Sequence, residues 1–281
     1  MAAYYYIPAM RKADKTRIQN FYFQFNGLLQ SVPAAQNDIL DMLRLLNVVN
    51  SNCLENKYLD PHFLQIAIHQ ENGRLQEHFS PTYRKAYLEV SGHHRMLREL
   101  EKLACVRTEL SVSLLRDLHR MIFESSWPYE AGRFRTIEVR IRDIKHRPPH
   151  YSQLSELTYQ HLEWIDGLLK LLGPVTRNNF LEIFHVAADL HFRLIQTYPF
   201  RAGNWRIARS MADYILLYSG LFYNVIDCDN RKQYQAAVAA SKITDISPLE
   251  DFLLKSFGET VNKIGGYVKL LHQEARASAT E

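Results

Sequence analysis

The sequence predicts an all-α protein, one compact helical domain with a single small β-hairpin. Three observations carry that expectation. Apolar residues recur at steps of three and four through most of the 281 residues, as at Ile39, Met42, Leu43, Leu46 and Val49. Only one stretch, Thr136 to Arg142, alternates polar and apolar residues strictly, the period of a strand with one buried face. Proline-containing breaks separate periodic segments, as at Ser31-Val32-Pro33 and Gly173-Pro174.

Taken in order, residues 1 to about 17 read as an irregular lead-in, aromatic and then basic. Ile18 to Asn50 is helical and is cut in two by Ser31-Val32-Pro33. Ser51 to Asn56 is polar, with Ser51 a candidate cap. Residues 61 to 110 return to helical spacing, with Pro61 and Ser80-Pro81 as helix starts. Leu110 to Glu124 is an amphipathic helix capped by Ser111, with Leu114, Leu115, Leu118, Met121 and Ile122 on its apolar face. The alternating strand follows, and Pro148-Pro149 closes its hairpin. Ser152 to Leu172 is helical and stops at Gly173-Pro174; Phe180 to Ile195 is a long core helix. Pro199 breaks that helix, Gly203-Asn204 makes a tight turn, and Ile207 to Leu221 is helical again. Two more helical stretches include Arg231 to Val238 and Asp245 to Phe252, and the small polar residues Ala275 to Glu281 form a frayed end.

Composition excludes several classes. Hydrophobic content of 47% and charged content of 23% are ordinary for a globular chain. No apolar run reaches the roughly 18 residues that suggest a membrane span. The first residues, Met1 to Tyr6, have no basic segment before an apolar core, so no secretory signal is read there and a cytoplasmic location is expected, export as a bacterial effector needing no such signal. The net charge of +4 is mild and nucleic acid is not an expected partner; Arg140, Arg142, Lys145, His146 and Arg147 are the one modest basic cluster. Cys53, Cys105 and Cys228 are scattered and show no metal-ligand spacing, so free thiols are expected.

The chemistry converges on Tyr198 to Arg209, a loop feeding a helix N-terminus with Arg206 and Arg209 one turn apart, a natural place for an anion. Pro199, Phe200, Gly203, Asn204, Arg206 and Arg209 resemble the signature of the Fic family, His-x-Phe-x-(Asp/Glu)-Gly-Asn-Gly-Arg-x-x-Arg. The resemblance runs in motif order over about residues 48 to 257. Three functional positions depart from it: Tyr198 stands for the catalytic His, Ala202 for the acidic residue and Trp205 for the second Gly. The resemblance implies a Fic fold in three parts: a helical region 1–90, a core 91–225 and C-terminal helices 226–281. Active relatives transfer AMP from ATP to a protein hydroxyl. Here Gly203, Asn204, Arg206 and Arg209 would be the nucleotide-phosphate ligands, with Arg206 alternatively a surface residue. Tyr198 would be a poor base, because phenol titrates near 10. Ala202 offers no carboxylate, which leaves magnesium without its protein anchor and the metal set empty. Trp205 would be strained if held at the positive φ that the family glycine adopts.

The same resemblance gives roles to two further segments. Ser51, Glu55 and Asn56 match the family's inhibitory-helix motif, (Ser/Thr)-x-x-x-Glu-(Gly/Asn), in which the Glu pairs with the second arginine, here Arg209, and denies it to the γ-phosphate. Residues 132 to 150 match the β-hairpin flap, where Ile137, Glu138, Val139, Arg140 and Ile141 would register an extended segment of a target protein. The Tyr234 region lies near the base in the family, and family members often dimerise. His119 is read as a packed structural residue; His93 with His94, and His185 with Asp189 and His191, are metal-ligand types that read as structural here, with His185 and Asp189 one turn apart and able to pair. The functional expectation is a degenerate Fic-type protein, a regulatory or interaction module with impaired AMP transfer and ATP as candidate ligand. The alternative is an active transferase of altered chemistry.

Overall fold

A computed structural model describes residues 9–55, 81–141 and 146–278. Its α-helices are α1 (Lys12–Gln30), α2 (Ala34–Glu55), α3 (Pro81–Cys105), α4 (Val112–Phe123), α5 (Leu154–Leu172), α6 (Phe180–Thr197), α7 (Asn204–Tyr218), α8 (Arg231–Ala240) and α9 (Ser247–Ser278). Short 3-10 turns at Tyr151–Gln153 and Cys228–Asn230 precede α5 and α8. The described residues form no β-sheet; isolated bridges join Phe134 to Phe200 and Lys242 to Asp245.

Helix α6 is apolar on nearly every side and runs through the centre, with Phe180, Ile183, Phe184, Ala188, Leu190 and Ile195 at 1% exposure or less. Helix α7 turns back along it, α3 and α5 flank the pair, and α9 closes the far side together with α1. Helices α3 and α4 approach closely at Gly92, where an added Cβ would lie 2.5 Å from the Ile122 carbonyl oxygen. The helix start at Pro81 and the helix breaks at Ser31–Pro33, after Leu172 and at Pro199 lie where the proline and glycine pattern puts them. Ser111 caps α4 by accepting the Leu114 N–H at 3.1 Å.

Three expectations change. Helix α1 begins at Lys12, inside the expected lead-in, because Lys15 reaches Glu250 (3.1 Å) and Asp251 (2.6 Å) on α9 and the tertiary contact fixes that turn. Helix α9 runs through Ser278, past the expected fraying point at Ala275. Residues 136–141 form no strand, although their pattern alternates; Ile137 stays 46% exposed while Ile141 is buried. The expected helix start at Pro61, the motif residue Asn56, and Arg142 and Lys145 of the basic cluster lie outside the described residues.

Candidate functional site

The loop between α6 and α7 is built around two left-handed residues. Tyr198 ends α6 at φ 48° and ψ 59°, with its N–H on the Leu194 carbonyl. That conformation costs a non-glycine residue about 1 kcal/mol or more, and it redirects the chain into Pro199. Gly203 caps α7 at φ 76°, and a Cβ there would lie 2.4 Å from the Phe123 ring. Between them, Asn204 closes the loop on itself: Oδ1 accepts the Phe200 N–H (2.9 Å) and Nδ2 donates to the Phe200 carbonyl (2.8 Å). The two ends of the Asn204 amide therefore hold the loop shape.

His119 on α4 fastens this loop to the start of the flap segment. Its ring stacks on Phe200 at 3.8 Å and 10°. Its Nδ1 accepts the Gly132 N–H (2.9 Å), so Nε2 carries the proton and donates to the Ala202 carbonyl (3.1 Å). Burial pulls its pKa down to about 3 and keeps the ring neutral. The buried Arg135 completes the seam. Its guanidinium donates to the carbonyls of Tyr198 (2.9 Å), Ile137 (2.9 Å) and Pro149 (2.6 Å), and its N–H donates to that of Pro199 (2.9 Å). Ile137 and Pro149 stand on the two arms of the flap segment, so one side chain bridges them in place of a strand ladder. This is the physical reason why the alternating stretch forms no regular strand.

Arg206 and Arg209 are both buried, each 6% exposed, which removes the expectation that Arg206 is a surface residue. The end of α2 is laid across them. Glu55 divides its carboxylate, with Oε2 on Arg206 Nε (2.8 Å) and Oε1 on Arg209 Nη2 (3.1 Å). The expected partner was Arg209 alone; the second bond forms because both guanidinium groups lie on the one face of α7 that α2 covers. Arg206 also donates to Asn52 (3.3 Å) and Glu89 (2.7 Å), and Arg209 to the hydroxyl (2.9 Å) and carbonyl (2.8 Å) of Ser51. Burial opposes the Arg206 charge, but the carboxylates of Glu55 and Glu89 outweigh it and raise its pKa. Two arginines and two carboxylates form a neutral, hydrogen-bonded cluster, the condition under which buried charge is tolerated.

Tyr198 is half-buried. Burial first, then the Glu55 charge, push its hydroxyl above the ordinary phenol pKa, so it remains a proton donor at neutral pH. Ala202 contributes only a carbonyl, which already accepts from His119. The carboxylates near the loop, Glu55 and Glu89, are taken by arginine, so these residues do not fit a magnesium ion bound as in the family pattern. Among the described residues the one group of three metal-type ligands is Asp227, Cys228 and Asp229, and there Asp227 is bound by Lys263 at 2.6 Å.

Trp205 lies in the first turn of α7 and its φ is not positive, so the expected backbone strain is absent. Its indole packs edge-on against the buried Tyr234 ring at 5.5 Å. Tyr234 in turn hydrogen-bonds His191 Nε2 (2.5 Å) and lies under the Arg209 guanidinium (5.8 Å). His93 accepts from Asn52 at 2.9 Å, and His185 pairs with Glu250 (2.9 Å) rather than with Asp189, which is engaged by Arg193 (2.7 Å). Asn52, Glu89 and Arg135 are the site residues that sequence reasoning did not single out. For Arg135 a signal existed in the Gly132-Arg133-Phe134-Arg135 match to the flap; for Glu89 and Asn52 no spacing points to α7.

The Fic/DOC family model matches residues 109–216 of this chain. The chain is 26% identical over 186 residues to Protein adenylyltransferase fic-1 of Caenorhabditis elegans, covering 64% of this chain and 34% of that protein. It is 25% identical over 176 residues to Protein adenylyltransferase Fic of Nematostella vectensis, covering 62% of this chain and 39% of that protein. The aligned part thus spans little more than a third of the length of these curated relatives. Among solved structures, a Fic domain containing signaling protein from Bacteroides thetaiotaomicron superposes with a TM-score of 0.74 at 21% identity, covering 90% of this chain and 96% of that one. Fic-1 (residues 134–508) from C. elegans gives 0.71 at 20% identity, covering 92% and 74%. These two likenesses carry the fold.

Proposed function

We propose that this chain, whose residues 109–216 are a Fic/DOC family domain, is a regulatory or interaction module of the Fic fold, with AMP transfer impaired and its arginine pair held by its own N-terminal helix. The observation that carries this reading is the double capture of Arg206 and Arg209 by Glu55. A guanidinium committed to a carboxylate and a serine is not free to hold a phosphate.

Two further features support impairment. Tyr198 cannot take a proton from a hydroxyl nucleophile at neutral pH, and loss of a general base removes roughly 100- to 10,000-fold in rate. No carboxylate stands at Ala202 to anchor a nucleotide-bound cation. Nucleotide binding is the part of the reading that can survive. With Glu55 withdrawn, two arginines and the uncapped first turn of α7 would face an anion together. Glu55 keeps 22% of its side chain exposed, so its carboxylate can leave the arginines for solvent by a side-chain movement that does not unpack the core.

That last point favours the second reading, a transferase of altered chemistry under control of α2. Chain and ATP labelled at the α-phosphate, with magnesium and a cell lysate, separate the two. The module reading predicts no labelled protein from the wild type or from Glu55→Gly. Label on a target, above all one that appears only with Glu55→Gly, overturns it in favour of the transferase.

A further inference from the structure

Two cysteines that the sequence leaves 175 positions apart are neighbours on the turn of α2 that carries Glu55. The Cys53 thiol is near enough to the Cys228 thiol to raise its pKa, both residues are partly buried, and Cys105 is exposed elsewhere. The 3-10 turn Cys228–Asn230 is clamped to α2 on either side of that contact. Asn50, one helical turn before Cys53, accepts the Cys228 N–H at 3.0 Å. Arg231 donates to the Glu55 carbonyl at 3.4 Å. The turn is itself anchored to α9 through Asp227 and Lys263 at 2.6 Å. The turn that carries Cys228 is thus held against the turn of α2 that carries Cys53.

We propose that Cys53 and Cys228 are a redox-responsive pair, closed to a disulfide by a low-molecular-weight disulfide, and that the bond fixes the turn of α2 over residues 52–55, with Glu55 on the two arginines. In the closing reaction one thiol of the pair loses its proton and its thiolate attacks a sulfur of the small disulfide, releasing one small thiol. The second protein thiol, losing its proton, then attacks the mixed disulfide and releases the other. The protein loses two electrons and two protons, and the small disulfide gains both as two thiols. Burial first, then the neighbouring Cys53 thiol, push Cys228 up to about 11, so at neutral pH it persists as a thiol until it meets the mixed disulfide. Residue Cys53 lies two positions before Glu55, so the disulfide would close within the turn of α2 that holds the carboxylate on the arginines. Oxidation therefore shuts the arginine site and reduction permits its opening. The consequence for nucleotide rests on the function proposed above; the bond and its effect on α2 do not.

The test uses the full chain, equilibrated with reduced and oxidised glutathione in a series of ratios, digested without reduction and mapped by mass spectrometry. The expected product is one cross-linked pair of peptides containing Cys53 and Cys228, two hydrogens lighter than the separate thiols. Amide exchange in residues 49–55 should slow about tenfold on oxidation, and Cys228→Ser should abolish the change. Glutathione on either cysteine without the cross-link, or a cross-link that leaves exchange at 49–55 unchanged, overturns the proposal. These readouts need no nucleotide, so failure of reduced Glu55→Gly to bind ATP would count against the preceding reading alone.

Discussion

His119 and His191 show how single buried side chains set the chemistry of this loop. Burial pulls both down to about 3, so each stays neutral and each fixes a neighbour by one defined tautomer or bond. In the unfolded chain both imidazoles return to about 6.5 and take up protons below it. Between about pH 3 and 6.5 the unfolded state therefore binds more protons, and stability rises with pH by about 1.4 kcal/mol per unit for each ring. It is fully gained above 6.5 and lost as the pH falls. Asp213 acts in the opposite sense. Burial pushes it up to about 7, so it removes stability as the pH rises from about 4 to 7 and offsets one ring. Comparing denaturant unfolding of the wild type and His191→Gln from pH 4 to 6 isolates the effect: the variant should show a slope shallower by about 1.4 kcal/mol per pH unit. Equal slopes would mean that His191 titrates normally in the folded protein.

At the scale of elements, the molecule is joined at two seams, and they were unequally legible in sequence. The seam between α2 and α7 was visible because Ser51 and Glu55 keep a motif spacing and Arg206 and Arg209 keep another. What the sequence could not give is that Glu55 reaches both arginines, or that Glu89 joins them from 117 positions away, since no periodicity relates α3 to α7. The flap seam is less legible in its local form. Ile137, Val139 and Ile141 alternate as a strand would, but Arg135 takes the carbonyls of Ile137 and Pro149. Alternation reports which face is apolar and cannot report which donor the backbone finds. Arg135→Ala leaves three carbonyls without their charged donor, so it should destabilise the protein by about 2–4 kcal/mol. It should also raise amide exchange through residues 136–141. A change under about 0.5 kcal/mol, the range of ordinary surface substitutions, would show that Arg135 does not bind these segments together.

Over the whole molecule, the arginine site depends on helices distant in sequence that hold α6 and α7 still. Phe257 on α9 meets Tyr22 of α1 (5.6 Å) and Phe184 of α6 (5.1 Å), so helices α1 and α9 close together over the central helix. The helices themselves were readable from their apolar spacing; their partners were not, because such packing is decided by shape across more than two hundred residues. Phe257→Ala should cost about 3–5 kcal/mol, seen as a lower urea midpoint at unchanged slope. If Glu55 closes the arginine pair, its removal opens the pair to a nucleotide phosphate. Calorimetric titration with ATP, on the wild type and on Glu55→Gly shown by circular dichroism to be folded, measures this. The variant should bind about tenfold or more tightly than the wild type. Equal affinities in the two proteins would contradict it.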